Sequence, residues 1–137
     1  MKLTPYLHFK GDCREAFAYY ADTFHARIAF SMTFGESPFG AQTAPEMKNW
    51  IVHQRLEFGD NALLGSDAPP DRYQTPQGFS VSVLIEDAAE AERIFRRLAD
   101  NGSVDMPFAQ TVFAHRFGMC TDRFGQHWMI NVEKPPR

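Results

Sequence analysis

The chain has 137 residues, of which 44% are hydrophobic, and this is enough for one hydrophobic core and predicts a single domain. The formal charge of −3 and the lack of any basic run argue against nucleic acid as a partner, because phosphate contacts need clustered Lys and Arg. No apolar stretch approaches the roughly 20 residues that span a bilayer, and no signal pattern opens the chain, so we expect a cytoplasmic protein with no membrane partner.

The first half of the chain predicts one helix among four strands. Residues 4–10 alternate in the way that strands do, and Asp12 with Glu15 has the spacing of a capping box that opens a helix. Helical spacing of apolar residues continues to about His25. Three further strands are predicted at 27–34, 50–58 and 62–66, with a loop at 35–48 and a tight turn at 59–61.

The second half predicts the same order of elements after a proline-rich linker at about 68–77. A strand at 79–85 precedes a second capping box, Asp87 and Glu90, and a helix follows. The residues expected to face inward on that helix are Ala91, Ile94, Phe95 and Leu98. Extended segments follow at 104–110, 112–121 and 127–133.

The two halves are related by a shift of 75 positions. The shift superimposes four similar pairs of residues: Asp12 on Asp87, Glu15 on Glu90, Ala16 on Ala91 and Tyr20 on Phe95. Repetition on this scale indicates a duplicated supersecondary unit, here strand-helix-strand-strand-strand. The sequence therefore predicts an α+β fold of two tandem βαβββ modules in one domain, 1–137, with module one at about 1–67 and module two at about 78–134.

Two segments carry a resemblance to a known family. Residues 5–11 read Pro-Tyr-Leu-His-Phe-Lys-Gly, and residues 117–128 read Phe-Gly-Met-Cys-Thr-Asp-Arg-Phe-Gly-Gln-His-Trp. With the pieces at 53–56, 66–67, 106–107 and 110–111, the chain resembles the PhnB-like branch of the vicinal-oxygen-chelate superfamily, which includes glyoxalases and bleomycin-resistance proteins. The resemblance implies strands curled into a curved, cup-like mixed sheet with the helices outside, a small-molecule cavity within, and a homodimer.

In metal-dependent members of that superfamily, His and Glu ligands come from the first and last strands of each module. The corresponding positions here fall close to Pro5, Leu64, Ser80 and Met129, none of which is a good metal ligand. We therefore predict no cofactor, and these ligand positions do not support a divalent metal, although one is still possible. The name demethylubiquinone methyltransferase, often given to such sequences, is not supported either, because no glycine-rich turn with an acidic ribose-binding residue is present.

The strand at 50–58 supplies the first candidate catalytic residues. One face carries Val52, Gln54, Leu56 and Phe58, and the other carries His53, Arg55 and Glu57. If the apolar face meets a helix, the polar face lines the cup. His53 is then a candidate general base, and Arg55 a candidate partner for a carboxylate or phosphonate. The alternative is a solvated face with a salt-linked Arg and Glu.

The last strand supplies a third candidate catalytic residue, His127, which shares one face with Met129 and Asn131. Trp128 and Ile130 fall on the other face and are expected in the core. A histidine beside a turn is also a common surface or capping residue, so both interpretations of His127 stay open. Asn131 is a candidate ligand-binding residue.

Further candidate ligand-binding residues are Ser80 and Ser82, which alternate with valines and either widen a cavity or face water. Phe113 is expected to wall the pocket or to pack in the core. Tyr6 is expected to pack under the first helix, and His8 shares its side of the strand.

The two cysteines, Cys13 and Cys120, form no CxxC pair. We expect both to be reduced and unbridged, with Cys120 acting as an inert small hydrophobe.

Two functions remain open on this evidence. In the first, the protein is an enzyme on a small organic substrate, with His53, Arg55 and His127 as its polar centre. In the second, it binds and sequesters an aromatic or cationic small molecule without chemistry, in the manner of bleomycin-resistance proteins. The abundance of Phe and the missing metal ligands favour the second function, and the two histidines with an arginine favour the first.

Overall fold

A computed structural model of the protein describes residues 1–112 and 114–133 and divides the chain into two units, Met1–Gln74 and Thr75–Arg137. The boundary falls inside the predicted linker. Each unit contains one four-stranded mixed sheet and one α-helix of 12 residues. The predicted α+β class with two tandem βαβββ modules is therefore confirmed. Phe113 lies outside the described residues.

The first unit contains strands β1 to β4 and helix α1, joined between β2 and β3 by a loop with two short 3₁₀ turns. The spatial order is β1-β4-β3-β2, with β1 parallel to β4 and the other neighbours antiparallel. The bounds are β1 Tyr6–Phe9, α1 Cys13–Phe24, β2 Arg27–Thr33, β3 Ile51–Phe58 and β4 Asn61–Asp67.

One face of this sheet packs against α1 and the other does not. A Cβ added at Gly65 of β4 would lie 2.7 Å from Phe17 of α1, so helix and sheet are in close contact there. Leu7 and Phe9 are buried on β1, whereas Tyr6 is 37% exposed and His8 is exposed as well. The expectation that Tyr6 packs under the helix is therefore wrong. Side chains alternate along a strand, so Leu7 and Phe9 share one face and Tyr6 and His8 share the other. The wholly apolar pair packs against the helix, and the pair with polar atoms lies on the opposite face.

The two helices begin in different ways. Asp87 caps α2 as predicted, since its carboxylate accepts hydrogen bonds from Ala89 N and Glu90 N at 2.9 and 3.4 Å. Asp12 makes no capping bond, so the capping box predicted for α1 is wrong. Asp67, at the end of β4, takes its place by accepting from the amides that lead into α1.

The second unit contains strands β5 to β8 and helix α2, in the spatial order β5-β8-β7-β6. Its bounds are β5 Val81–Leu84, α2 Ala88–Ala99, β6 Ser103–Ala109, β7 Ala114–Thr121 and β8 His127–Glu133. The shift of 75 carries β1 onto β5 and α1 onto α2 without offset. The predicted inward residues of α2 are all buried, as are Trp128 and Ile130 on β8, so these predictions are confirmed.

Among the described residues, no helix has the length and apolar character needed to cross a membrane.

Gly118 on β7 allows α2 to approach the sheet. A Cβ at this position would lie 2.6 Å from Cε1 of Phe95 and 3.0 Å from the backbone of Phe108, and these two rings stack at 5.5 Å. We expect Gly118→Ala to lower the free energy of unfolding by about 1 to 3 kcal/mol, because the added methyl group overpacks this contact. Denaturant unfolding measures the loss. Ser82→Ala, at an exposed position, serves as the control, and an unchanged midpoint for Gly118→Ala would contradict the prediction.

Candidate functional site

The candidate site in the first unit lies on the sheet face turned away from α1. Strand register places Tyr6, Leu64, Arg55 and Phe30 in one row across β1, β4, β3 and β2. His53 lies two residues before Arg55 and therefore on the same face. We call the ring side chains Tyr6, His8, Phe30 and His53 the aromatic face.

The rings of the aromatic face contact one another through Tyr6 and His53. Tyr6 lies 5.8 Å from the His53 ring at an interplanar angle of 28°, and 5.1 Å from the His8 ring. Phe30 approaches His53 from the other side at 5.9 Å. Phe30 is 45% exposed and Tyr6 37% exposed, so large apolar surface stays in contact with water. A cluster of partly exposed rings that also carries several polar groups is typical of a small-molecule binding surface.

His53 is the polar centre of the aromatic face. Its Nδ1 lies 3.2 Å from the hydroxyl oxygen of Tyr6, and within the described residues its Nε2 has no hydrogen-bond partner. If Tyr6 donates to Nδ1, the neutral ring carries its hydrogen on Nε2 and offers a donor to a ligand. If Nδ1 donates to Tyr6, Nε2 offers a lone pair instead. Both arrangements leave one nitrogen available for binding or proton transfer.

Arg55 lies on the same face, in the row between Leu64 and Phe30, and its side chain is held by Glu57. Its Nε donates to Glu57 Oε2 at 2.6 Å, and Arg27 donates to the other oxygen at 2.7 Å. The hydrogen bond from Arg55, followed by the charges of Arg55, Arg27 and Lys2, lowers the pKa of Glu57 below its usual value. The salt link named as the alternative interpretation of this strand is thus present, and it uses only one nitrogen of Arg55.

His127, the third predicted catalytic residue, lies in the second unit and makes two hydrogen bonds. Nε2 lies 2.7 Å from the carbonyl oxygen of Pro76, and Nδ1 lies 2.9 Å from the hydroxyl of Thr121. Thr121 in turn donates to Asp105 at 2.8 Å. These bonds tie β8 to β7 and to the segment before β5, as a surface or capping histidine does. Proton transfer by His127 would first require one of them to break.

The predicted ligand-binding residues of the second unit lie on or beside one strand row. Ser82 is exposed and pairs with Met129, and Ser80 is half-buried just before β5. Asn131 lies two residues beyond Met129, and its Oδ1 is buried without a hydrogen-bond partner among the described residues. The row that contains Ser82 and Met129 continues across the sheet to Met119 on β7 and Met106 on β6.

Two features of these sheet faces were not predicted from the sequence: Phe30, and the methionine row of Met106, Met119 and Met129. Both features depend on the bulged edge strands β2 and β6. A bulge interrupts the alternation of side chains, so sequence position no longer predicts which sheet face a residue is on. The aromatic character of residues 27–34 was the only available signal for Phe30.

The four positions that correspond to metal ligands in metal-dependent relatives, near Pro5, Leu64, Ser80 and Met129, carry no His or Glu side chain. In the first sheet Leu64 pairs with Tyr6, one place from the predicted Pro5. In the second sheet Met129 pairs with Ser82, two places from the predicted Ser80. Within residues 1–112 and 114–133, no group of three or more His, Cys, Asp or Glu side chains is arranged to hold a metal ion. The residues described here do not fit the metal centre of metal-dependent relatives.

The two cysteines are buried and unbridged, as predicted. Burial, followed by the charges of Asp122 and Asp105, raises the pKa of Cys120 to about 12. Burial also raises the pKa of Cys13, with Asp67 the next cause. Both side chains therefore remain thiols at neutral pH, and neither is an activated nucleophile.

Comparison with known proteins gives consistent matches over almost the whole chain. The family model described as 3-demethylubiquinone-9 3-methyltransferase matches residues 1–131. Protein YjdN of Escherichia coli strain K12 is 37% identical over 142 residues, covering 98% of this chain and 97% of that protein. The crystal structure of protein PA1353 from Pseudomonas aeruginosa has a TM-score of 0.90 at 42% identity, covering 98% and 99% of the two chains.

A more distant likeness shows the fold alone. The genomically encoded fosfomycin resistance protein FosX from Listeria monocytogenes superimposes with a TM-score of 0.67 at 12% identity, covering 98% of this chain and 94% of that one.

Proposed function

Because the chain belongs to the family whose model is described as 3-demethylubiquinone-9 3-methyltransferase, we propose that it is a PhnB-like glyoxalase-superfamily protein that binds a small organic molecule on its aromatic face. The observation that carries the proposal is the exposure of Tyr6 and Phe30 on either side of His53. A flat ligand that covers these rings removes apolar surface from water, which favours binding. His53 Nε2 can add a directional hydrogen bond to that ligand.

This proposal differs from the methyltransferase activity in the family's description. The amides at the start of α1 and α2, which could bind an anionic group of a cofactor, already donate to the carboxylates of Asp67 and Asp87. We propose neither a resident cofactor nor a metal. A homodimer in the cytoplasm is part of the proposal and rests on the resemblance to the superfamily.

The test compares two exposed phenylalanines of the first unit. Phe30 belongs to the aromatic face, whereas Phe39 is 57% exposed in the loop between β2 and β3. We expect aromatic fragments detected by ligand-observed NMR to bind Phe30→Ala about tenfold more weakly than the wild type, because a stacking surface is lost. Phe39→Ala should bind normally. Equal binding by both variants, or equal losses in both, would place the ligand elsewhere and contradict the proposal.

A second candidate function, acid–base catalysis, is favoured by the hydrogen bond between Tyr6 and His53. A phenol bonded to an imidazole can relay a proton to or from a ligand held against both rings. Tyr6→Phe keeps the ring and removes the hydroxyl. If the protein is an enzyme, this variant should retain ligand affinity and lose about 10²-fold in kcat on any fragment that the wild type converts. A protein that only sequesters its ligand converts none of the fragments it binds.

A further inference from the structure

The charges around Glu57 are unbalanced. This one carboxylate accepts hydrogen bonds from both Arg27 and Arg55, and Lys2 is close enough to lower its pKa through its charge. Two guanidinium groups therefore share one carboxylate, so Glu57 compensates their positive charge only in part beside the aromatic face. Such an excess of positive charge attracts an anionic ligand and disfavours a cationic one.

Arg55 has unused hydrogen-bonding capacity toward that face. Its Nε is committed to Glu57, but within the described residues its two terminal nitrogens have no partner. Its side chain is 36% exposed, so the side chain is partly accessible to a ligand. A guanidinium whose terminal nitrogens are free presents two parallel N–H groups that match the two oxygens of a carboxylate. The hydrogen bond from Nε to Glu57 restrains the orientation of the guanidinium.

The position of Arg55 relates this charge to the rings. In the strand register Arg55 stands directly beside Phe30 on β2 and beside Leu64 on β4, with Tyr6 next in the row. A ligand ring lying on Phe30 and His53 therefore has a guanidinium at its margin. A purely apolar ligand would leave this charge unused, and a cation would be repelled by it.

Resting on the proposed function, we infer that the ligand class of this site is a planar aromatic acid, whose ring covers the aromatic face and whose carboxylate binds the terminal nitrogens of Arg55. Glu57 acts as a positioning residue in this arrangement. A cationic ligand, which the resemblance to bleomycin-resistance proteins had suggested, is disfavoured by the charge of Arg55.

The experiment measures the affinity of three matched probes by isothermal titration calorimetry at low salt: 2-naphthoate, the neutral 2-naphthamide and the cationic 2-naphthylmethylamine. We expect the acid to bind about tenfold more tightly than the amide, and the amine to bind most weakly, since a charge-assisted bond adds about this much. Salt should reduce the preference for the acid. Equal affinities for acid and amide, or tightest binding of the amine, would overturn the inference.

Two variants locate the effect at Arg55. Arg55→Met keeps the apolar stem and removes the fork, and it should abolish the preference for the acid while leaving the affinity for the amide nearly unchanged. Arg27→Met is the matched control, because Arg27 shares the same carboxylate, carries the same charge and is 73% exposed. It should retain most of the preference. An equal loss in both variants would show a diffuse field instead of a carboxylate bound at Arg55, and would also overturn the inference.

The outcomes separate this inference from the proposed function. If the amide shifts the NMR signals of Tyr6, Phe30 and His53 with the same dissociation constant as the acid, the aromatic face binds ligands and only the ligand class is wrong. If none of the three probes shifts these signals at millimolar concentration, both proposals fail.

Discussion

Replacing Asp122 with alanine is expected to lower the free energy of unfolding by roughly 3 to 5 kcal/mol. Asp122 is 4% exposed and lies at the turn between β7 and β8. Its Oδ1 accepts from the amides of Phe124 and Gln126, both at 2.9 Å, and its Oδ2 accepts from the indole Nε1 of Trp128 at 2.8 Å. Alanine leaves three donors in a buried setting without this acceptor, and each such donor costs about 1 to 3 kcal/mol.

Urea denaturation followed by tryptophan fluorescence measures this loss directly, because Trp128 is one of the two tryptophans and bonds to Asp122. Asp122→Asn should lose less, since its amide oxygen still accepts from the two backbone amides while its NH₂ group faces the indole N–H. Asp71→Ala, at an exposed position in the segment between the sheets, is the control and should stay within about 0.5 kcal/mol of the wild type. If Asp122→Ala were as stable as Asp71→Ala, the three buried hydrogen bonds would make no net contribution to the free energy of unfolding, and the prediction would be wrong.

The elements and their duplication could be predicted because they depend on local signals. Helical spacing correctly identified the four buried residues of α2, and strand alternation correctly separated Trp128 and Ile130 from the other face of β8. The same alternation placed His53 and Arg55 together on β3, where the structure has them. The face of β1 that packs against α1 was predicted wrongly. Tyr6 and Leu7 are both acceptable core residues, and alternation alone does not choose between them.

What could not be predicted depends on contacts far apart in the chain. Asp67 caps a helix that begins 54 positions earlier, so no local pattern distinguishes it from the capping box at Asp12, which the structure does not form. Phe30 reaches the aromatic face because a register shift follows Ile28 on β2, and a similar shift before Met106 aligns it with Met119. The roles predicted for His53, Arg55, His127 and the ligand-binding residues stay predictions.

Asp67 in the first unit also accepts three hydrogen bonds through a buried carboxylate, and we expect Asp67→Ala to lower the free energy of unfolding by roughly 3 to 5 kcal/mol. Its Oδ1 accepts from Gly11 N at 2.8 Å and Cys13 N at 3.0 Å, and its Oδ2 accepts from Ile51 N at 2.8 Å. One carboxylate thus joins the start of α1 to the start of β3. Chemical denaturation measures the loss, with Asp71→Ala again as the control.

The pH dependence of Asp67 is expected to run opposite to that of most paired carboxylates. Burial raises its pKa above the ordinary value of 3.8, and the charge of Asp12 adds to the increase, although the three amide hydrogen bonds oppose it. For a raised pKa, the stabilising contribution is complete below 3.8 and is lost as the pH rises through the folded-state value, because ionisation then costs more in the folded protein.

Asp67→Asn does not titrate at this position, and subtracting its stability from that of the wild type cancels most of the other ionisable groups. The difference in unfolding free energy between wild type and Asp67→Asn should therefore narrow as the pH is raised from 3.8 toward neutrality. Urea unfolding at a series of pH values gives this difference. A difference that widened over the same interval would mean that the three amides stabilise the carboxylate more than burial penalises it. The anchor between α1 and β3 would then be strongest in its charged form.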